Sequence, residues 1–148
     1  MPSKAEATCT GGGCYCAVSA TSVNFGIYDS LSQDAVDSTG NVEVSCGSDE
    51  IGDAISYTIE LSGAGRGTSP RTLVLNSKNE LNYNLYTDAG RVSIWGDGSG
   101  STQPVVDSYS FPVLCCVLRN YTAYGRINSG QNVAPGLYSD TIIVTVSW

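Results

Sequence analysis

Gly40-Asn41-Val42-Glu43-Val44-Ser45-Cys46 is the stretch on which the fold turns. Val42, Val44 and Cys46 fall on one face and Asn41, Glu43 and Ser45 on the other. That period of two is what a half-buried strand requires, whereas a helix would scatter the same three apolar side chains around its axis. The pattern returns on both sides of this stretch. Tyr57, Ile59 and Leu61 alternate with Thr58 and Glu60, and Leu81, Tyr83 and Leu85 alternate with Asn82 and Asn84. Near the end, Ile142, Val144, Val146 and Trp148 share one face, opposite Thr141, Thr145, Ser147 and Ile143. Shorter strands are predicted over residues 16–23, 72–75 and 91–95, and a longer apolar run covers 113–127. Gly63-Ala64-Gly65-Arg66-Gly67, Gly96-Asp97-Gly98-Ser99-Gly100 and Pro135-Gly136 separate these runs with turn chemistry. Many short strands between such turns predict an all-β sandwich, in one domain and without internal repeats.

Composition narrows the function. The chain has 148 residues, only 14% of them charged, a net charge of −7 and no histidine. An acidic chain repels phosphate backbones, and Lys4, Arg66, Arg71, Lys78, Arg91, Arg119 and Arg126 are scattered, so nucleic acid is not an expected partner. The missing histidine excludes Ser-His-Asp catalysis and removes the commonest metal ligand. Six cysteines, an even count, then read as disulfides in an oxidising compartment. Residues 1–8 lack the apolar core of a signal peptide, so the chain reads as a mature secreted form. No run is long and apolar enough for a membrane-spanning helix.

Two groups of carboxylates, Asp29, Asp34 and Asp37, then Asp49, Glu50 and Asp53, match no calcium-loop pattern and read as solvated turns. Asp140 reads as a turn anchor. The stretch 95–112 begins rich in Gly and Ser and continues with Pro104, Val105, Val106, Tyr109, Phe111 and Pro112. Apolar side chains on an exposed loop would form a binding patch, so Pro104, Val105, Val106 and Tyr109 are candidate surface-binding residues, together with residues 27–36. The alternative places Val105, Val106, Tyr109 and Phe111 at the start of a core strand.

The motifs, taken in order, resemble the spore coat protein U domain family. The resemblance begins at Cys16-Ala17-Val18-Ser19-Ala20-Thr21-Ser22-Val23-Asn24-Phe25-Gly26-Ile27-Tyr28-Asp29 and at Thr39-Gly40 leading into Val42-Glu43-Val44-Ser45-Cys46. It continues through Tyr57 to Gly63, Arg71-Thr72-Leu73, Leu81-Asn82-Tyr83-Asn84-Leu85-Tyr86-Thr87-Asp88 and Gly96-Asp97-Gly98. Tyr124-Gly125-Arg126-Ile127, Pro135-Gly136-Leu137-Tyr138-Ser139-Asp140-Thr141 and the terminal strand complete it. It spans residues 16–148, with residues 1–15 left as an N-terminal arm.

The resemblance implies a disulfide-stapled, immunoglobulin-like β-sandwich of the pilin type, with no enzyme activity and no cofactor. It implies a secreted protein of the bacterial cell surface or pilus, reached via the periplasm. Its partners would be other pilus subunits, met by β-strand complementation, together with a periplasmic chaperone and an outer-membrane usher. It also implies a Cys16–Cys46 disulfide. Cys9, Cys14, Cys115 and Cys116 lie outside the family pattern. The expected arrangement pins the arm to the Cys115-Cys116 segment; a vicinal Cys115–Cys116 bridge and a four-thiolate zinc site are the alternatives. A shaft subunit carries a donor segment of alternating large apolar residues, and Met1-Pro2-Ser3-Lys4-Ala5-Glu6-Ala7-Thr8 has none. The reading therefore leans to a tip-adhesin domain that attaches to abiotic or cell surfaces and supports biofilm formation. A pilus shaft subunit and a secreted spore or cell-surface coat protein are the alternatives.

Overall fold

The computed structural model describes residues 8–63 and 70–148. The arm's first seven residues and most of the glycine-rich turn after Gly63 lie outside the described residues. Among the described residues the strands are β1 (Thr8–Cys9), β2 (Tyr15–Thr21), β3 (Val36–Gly47), β4 (Ala54–Gly63), β5 (Arg71–Leu75), β6 (Asn79–Tyr86), β7 (Val105–Ser110), β8 (Val117–Ile127) and β9 (Ile142–Ser147).

They form two antiparallel sheets. One runs β2-β3-β8-β6-β5; in the other, β4 is central and pairs with β1, β7 and β9. Both β7 and β9 pair with Thr58 and Ile59, so they flank β4 on opposite edges. Both β1 and β7 pair with Ile55 and Ser56, which puts β1 on the same edge as β9. The chain then crosses from β1 into β2 of the facing sheet. The edge of β9 and the edge of β2 therefore lie along one long side of the sandwich.

Alternation does what it predicts. Val42, Val44 and Cys46 from one sheet, and Ile55, Tyr57, Ile59 and Leu61 from the other, are buried in a shared core with Leu81, Tyr83 and Leu85. That core also holds one fully buried charge. Arg71 opens β5, and its Nη2 donates to the carbonyls of Leu61 (3.0 Å) and Trp95 (2.9 Å). Desolvation pulls this guanidinium below its ordinary range. The Trp95 indole N–H closes the same corner by donating to the Ile59 carbonyl at 2.9 Å.

One strand expectation is corrected. Residues 91–95 are not a strand. Arg91 sits at φ 55°, its N–H donates to the Asp88 carbonyl, and the Asp88 carboxylate accepts the N–H groups of Val92 and Ser93. That tight turn breaks the extended run, and only isolated bridges remain at Ile94 and Trp95. The apolar run 113–127 divides into an exposed loop before Cys116 and the strand β8. Within the arm, Thr8 and Cys9 pair with β4, and Tyr15 opens β2.

The outer cysteines also differ from expectation. Cys9 bonds Cys14 and Cys115 bonds Cys116, so no disulfide joins the arm to the 115–116 segment. The arm curls back on itself, which brings its own two sulfurs together. The two segments still meet without a covalent link. The Ser48 N–H donates to the Leu114 carbonyl at 2.8 Å, and an added Cβ at Gly47 would lie 2.5 Å from the Tyr15 hydroxyl. Only a residue without a side chain lets Tyr15 lie across this point.

Candidate functional site

The two long sides of the sandwich are built differently. On one side β7 meets β8 through side chains. Tyr57 donates its hydroxyl to Tyr121, Tyr121 donates to Asp107 Oδ2, and Arg119 Nη1 donates to the same oxygen at 3.2 Å. The Arg119 guanidinium also lies 4.7 Å from the centre of the Tyr109 ring. Burial pushes the Tyr57 and Tyr121 hydroxyls up, and the Asp107 carboxylate raises Tyr121 further; Tyr109 is pushed up to about 12, again chiefly by burial. All three stay protonated near neutrality, and this side is closed.

The other side is open. Among the described residues β2 pairs only with β3, and β9 only with β4. Val18 stands opposite Val44, and Ala20 opposite Val42, so both point to the inner face. Val18 is nevertheless 44% exposed, because nothing described covers it. Between the two edges a cavity of about 440 Å³ runs inward, lined at its mouth by Ala20, Ile142 and Val144 and at its floor by Val42, Leu61, Leu73, Leu85 and Ala123. These floor residues belong to the core.

The end wall of the cavity has its own construction. After β2 the chain folds over the inner face of its sheet, which is possible only because Gly40 and Gly125 leave room. An added Cβ would lie 2.7 Å from the Thr21 carbonyl oxygen at Gly40 and 2.6 Å from Phe25 Cζ at Gly125. Phe25 thereby reaches Tyr83, ring edge to face at 5.8 Å. Tyr83 donates to Asp140 Oδ2 at 2.6 Å, and the Thr141 N–H donates to Oδ1 at 2.8 Å. Burial, reinforced by the Asp140 carboxylate, pushes the Tyr83 hydroxyl up, so it remains a donor.

The residues singled out from sequence are distributed as follows. Cys16 bonds Cys46, tying the edge strand β2 to β3 beside the open side. Pro104 precedes β7, and Val105 and Tyr109 turn inward against the core, while Val106 is 49% exposed. The four candidates thus lie on or beside a core strand instead of a protruding loop, and they form no shared patch. Of the segment 27–36, Ile27 and Leu31 are exposed and Tyr28 is buried. A larger apolar exposure lies at one end of the sandwich, where Tyr15, Val113, Leu114 and Trp148 are each about half exposed. Tyr15 abuts the Leu114 segment, and the Trp148 indole donates to the Cys14 carbonyl at 3.3 Å. Asp37 and Arg126 form a two-pronged ion pair at 2.7 and 2.9 Å, and no group of metal-ligating residues is found among the described residues.

A two-sheet sandwich with one closed side, one open side and core side chains at the floor of the opening is an immunoglobulin-like fold of the pilin type. The chain belongs to the Spore Coat Protein U domain family, whose model matches residues 5–145. It is 30% identical to Protein U of Myxococcus xanthus over 140 residues, covering 85% of this chain and 71% of that protein. Its fold is similar to a chain in the crystal structure of the CsuC–CsuE chaperone–tip adhesion subunit pre-assembly complex from archaic chaperone–usher Csu pili of Acinetobacter baumannii. That match has a TM-score of 0.55 at 19% identity and covers 91% of this chain. The present chain spans 40% of the length of that solved chain.

Proposed function

We propose that this chain is a structural and adhesive component of an archaic chaperone–usher pilus, a tip-adhesin domain whose open side is filled by an extended strand from another polypeptide. The observation that carries this reading is the cavity between β2 and β9, with core residues for its floor and, among the described residues, an unpaired strand edge on each flank. A strand laid there would gain a hydrogen-bond ladder from an edge and place alternate side chains on Leu61, Leu85 and Ala123. The periplasmic chaperone supplies that strand before assembly, the outer-membrane usher delivers the subunit, and a neighbouring subunit supplies it afterwards. The likeness to a chain in a chaperone–tip adhesion subunit complex supports the same reading at the level of fold. The exposed end formed by Tyr15, Val113, Leu114 and Trp148 supports attachment to apolar surfaces.

Expression tests the open side. Produced in a periplasm without its chaperone, the domain aggregates or is degraded; with the chaperone, or with an added strand peptide, it is recovered soluble. A stable monomer that no peptide alters would remove the strand-accepting role and leave the coat-protein reading. Attachment is tested separately by Val113→Asp with Leu114→Asp, which abolishes retention on a hydrophobic surface while the fold persists. Unchanged retention would move the domain from the tip to the shaft, since the same open side serves either position.

A further inference from the structure

We propose that Asp140 sets the register of the inserted strand by selecting a basic side chain, Lys or Arg, at the end of the groove where the cavity meets Tyr83. This rests on the strand-accepting reading of the open side and adds the chemistry of the occupant. Among the described residues, Asp140 is the only ionisable carboxylate or base lining the cavity, whose remaining described walls are apolar, hydroxyl, phenol or amide side chains. Each of its oxygens accepts one hydrogen bond, from the Tyr83 hydroxyl at 2.6 Å and from the Thr141 N–H at 2.8 Å. An ionised carboxylate offers about four acceptor positions, so two remain for an incoming donor.

Arg71 does not occupy them. Its guanidinium is fully buried behind the floor, gives its Nη2 to the carbonyls of Leu61 and Trp95, and does not line the cavity. The buried guanidinium attracts the Asp140 carboxylate, and among the described residues its Nε and Nη1 have no hydrogen-bond partner. It does not line the cavity, however, so a side chain entering the groove meets the carboxylate. A strand fills the apolar part equally well in several registers, because every second residue presents an aliphatic side chain. A charge at one end breaks that equivalence. The register that brings a cation to Asp140 is favoured, and one that brings a carboxylate there is penalised by like-charge repulsion.

The test uses synthetic peptides of alternating Val and Thr, long enough to span the groove, with a single Lys, Gln or Glu at either end. Relative affinities for the intact protein are measured as displacement of the chaperone from the purified chaperone complex at low and high salt, and repeated with Asp140→Asn. The Lys peptide should bind about fivefold more tightly than the Glu peptide when the charge sits at one end only, with Gln between, and salt should narrow the difference. Asp140→Asn should remove that end-dependence, leaving only the small uniform preference for cations that the chain's net charge of −7 imposes. Equal affinities at both ends of the wild-type groove, or an end-dependence that survives Asp140→Asn, would overturn the role of Asp140 while leaving strand addition intact. Failure of every peptide to bind would remove strand addition itself. The wild-type peptide series decides the matter even where Asp140→Asn folds poorly.

Discussion

One long side of this sandwich is sealed by Asp107, Arg119, Tyr121 and Tyr57; the other is bordered by Val18, Ala20, Ile142 and Val144 with nothing described between them. The closed side pairs Tyr57, Tyr121, Asp107 and Arg119 within the chain, so this seal needs no second polypeptide. On the proposed strand-accepting role, the apolar floor and the two described strand edges of the open side would be covered by a second polypeptide, and its stability would be conditional on that partner.

The Cys16–Cys46 bond bears on the open side most directly. Among the described residues β2 has one neighbour, and the disulfide closes a 30-residue separation across it. Cys16→Ala with Cys46→Ala should lower stability by about 3–4 kcal/mol in denaturant unfolding. The loss should shrink when a strand peptide fills the groove, because β2 then gains contacts on its free flank and the two effects cease to add. An unchanged loss would show that the disulfide and the groove act independently.

A smaller effect is expected from the closed side. Asp107→Ala removes the acceptor of the Tyr121 hydroxyl, which keeps its bond to Tyr57, and of the half-exposed Arg119 guanidinium, and should cost about 1–2 kcal/mol. This loss should be the same with or without peptide, which distinguishes the two sides. Alkali probes the same network. The Tyr109 phenol has a folded value of about 12 against 10.0 when free. A raised folded value means that the neutral form is favoured by folding, so stability is intact below pH 10 and is lost as pH rises from there through about 12. Tyr57 and Tyr121 shift in the same direction and add to it. Base titration followed by circular dichroism and tyrosinate absorbance should show unfolding coupled to phenol ionisation, with a shallower dependence in Tyr109→Phe.

Much of this was legible as pattern, but the difference between the two sides was not. Val42, Val44, Leu61 and Leu85 announce a core by alternation, and the ordered motifs carry the family. Alternation marks which side chains face inward; it does not reveal whether another strand lies over them. Val18 and Ala20 look like any inward-facing pair until the pairing of β9 and β2 leaves their flank uncovered. The closed side was hidden for another reason. Asp107, Arg119 and Tyr121 are ordinary polar residues on two strands, and only the tertiary fold brings β7 against β8. The 91–95 segment misled because Val92 and Ile94 have strand propensity, while the Asp88 carboxylate holds Val92 and Ser93 in a turn. Burial of Arg71 goes against the usual behaviour of arginine and is visible only where two carbonyls converge on it.

Asp37 and Arg126 provide the weakest perturbation and the control for both sides. They pair on the outer face of the β3–β8 ladder, away from the groove and from the Asp107 network. The hydrogen bond from Arg126 holds the Asp37 carboxyl below its ordinary value of 3.8. A lowered folded value means that the contribution is present above the free carboxylate range and fades as pH falls through the folded value. The Asp37 side chain is 37% exposed, so solvent and salt screen most of the interaction. Asp37→Asn should therefore leave unfolding at neutral pH within experimental error and flatten only the acid limb of the stability curve. A neutral-pH loss as large as that of Asp107→Ala would mean that the outer faces, and not the two sides, govern how this sandwich is held together.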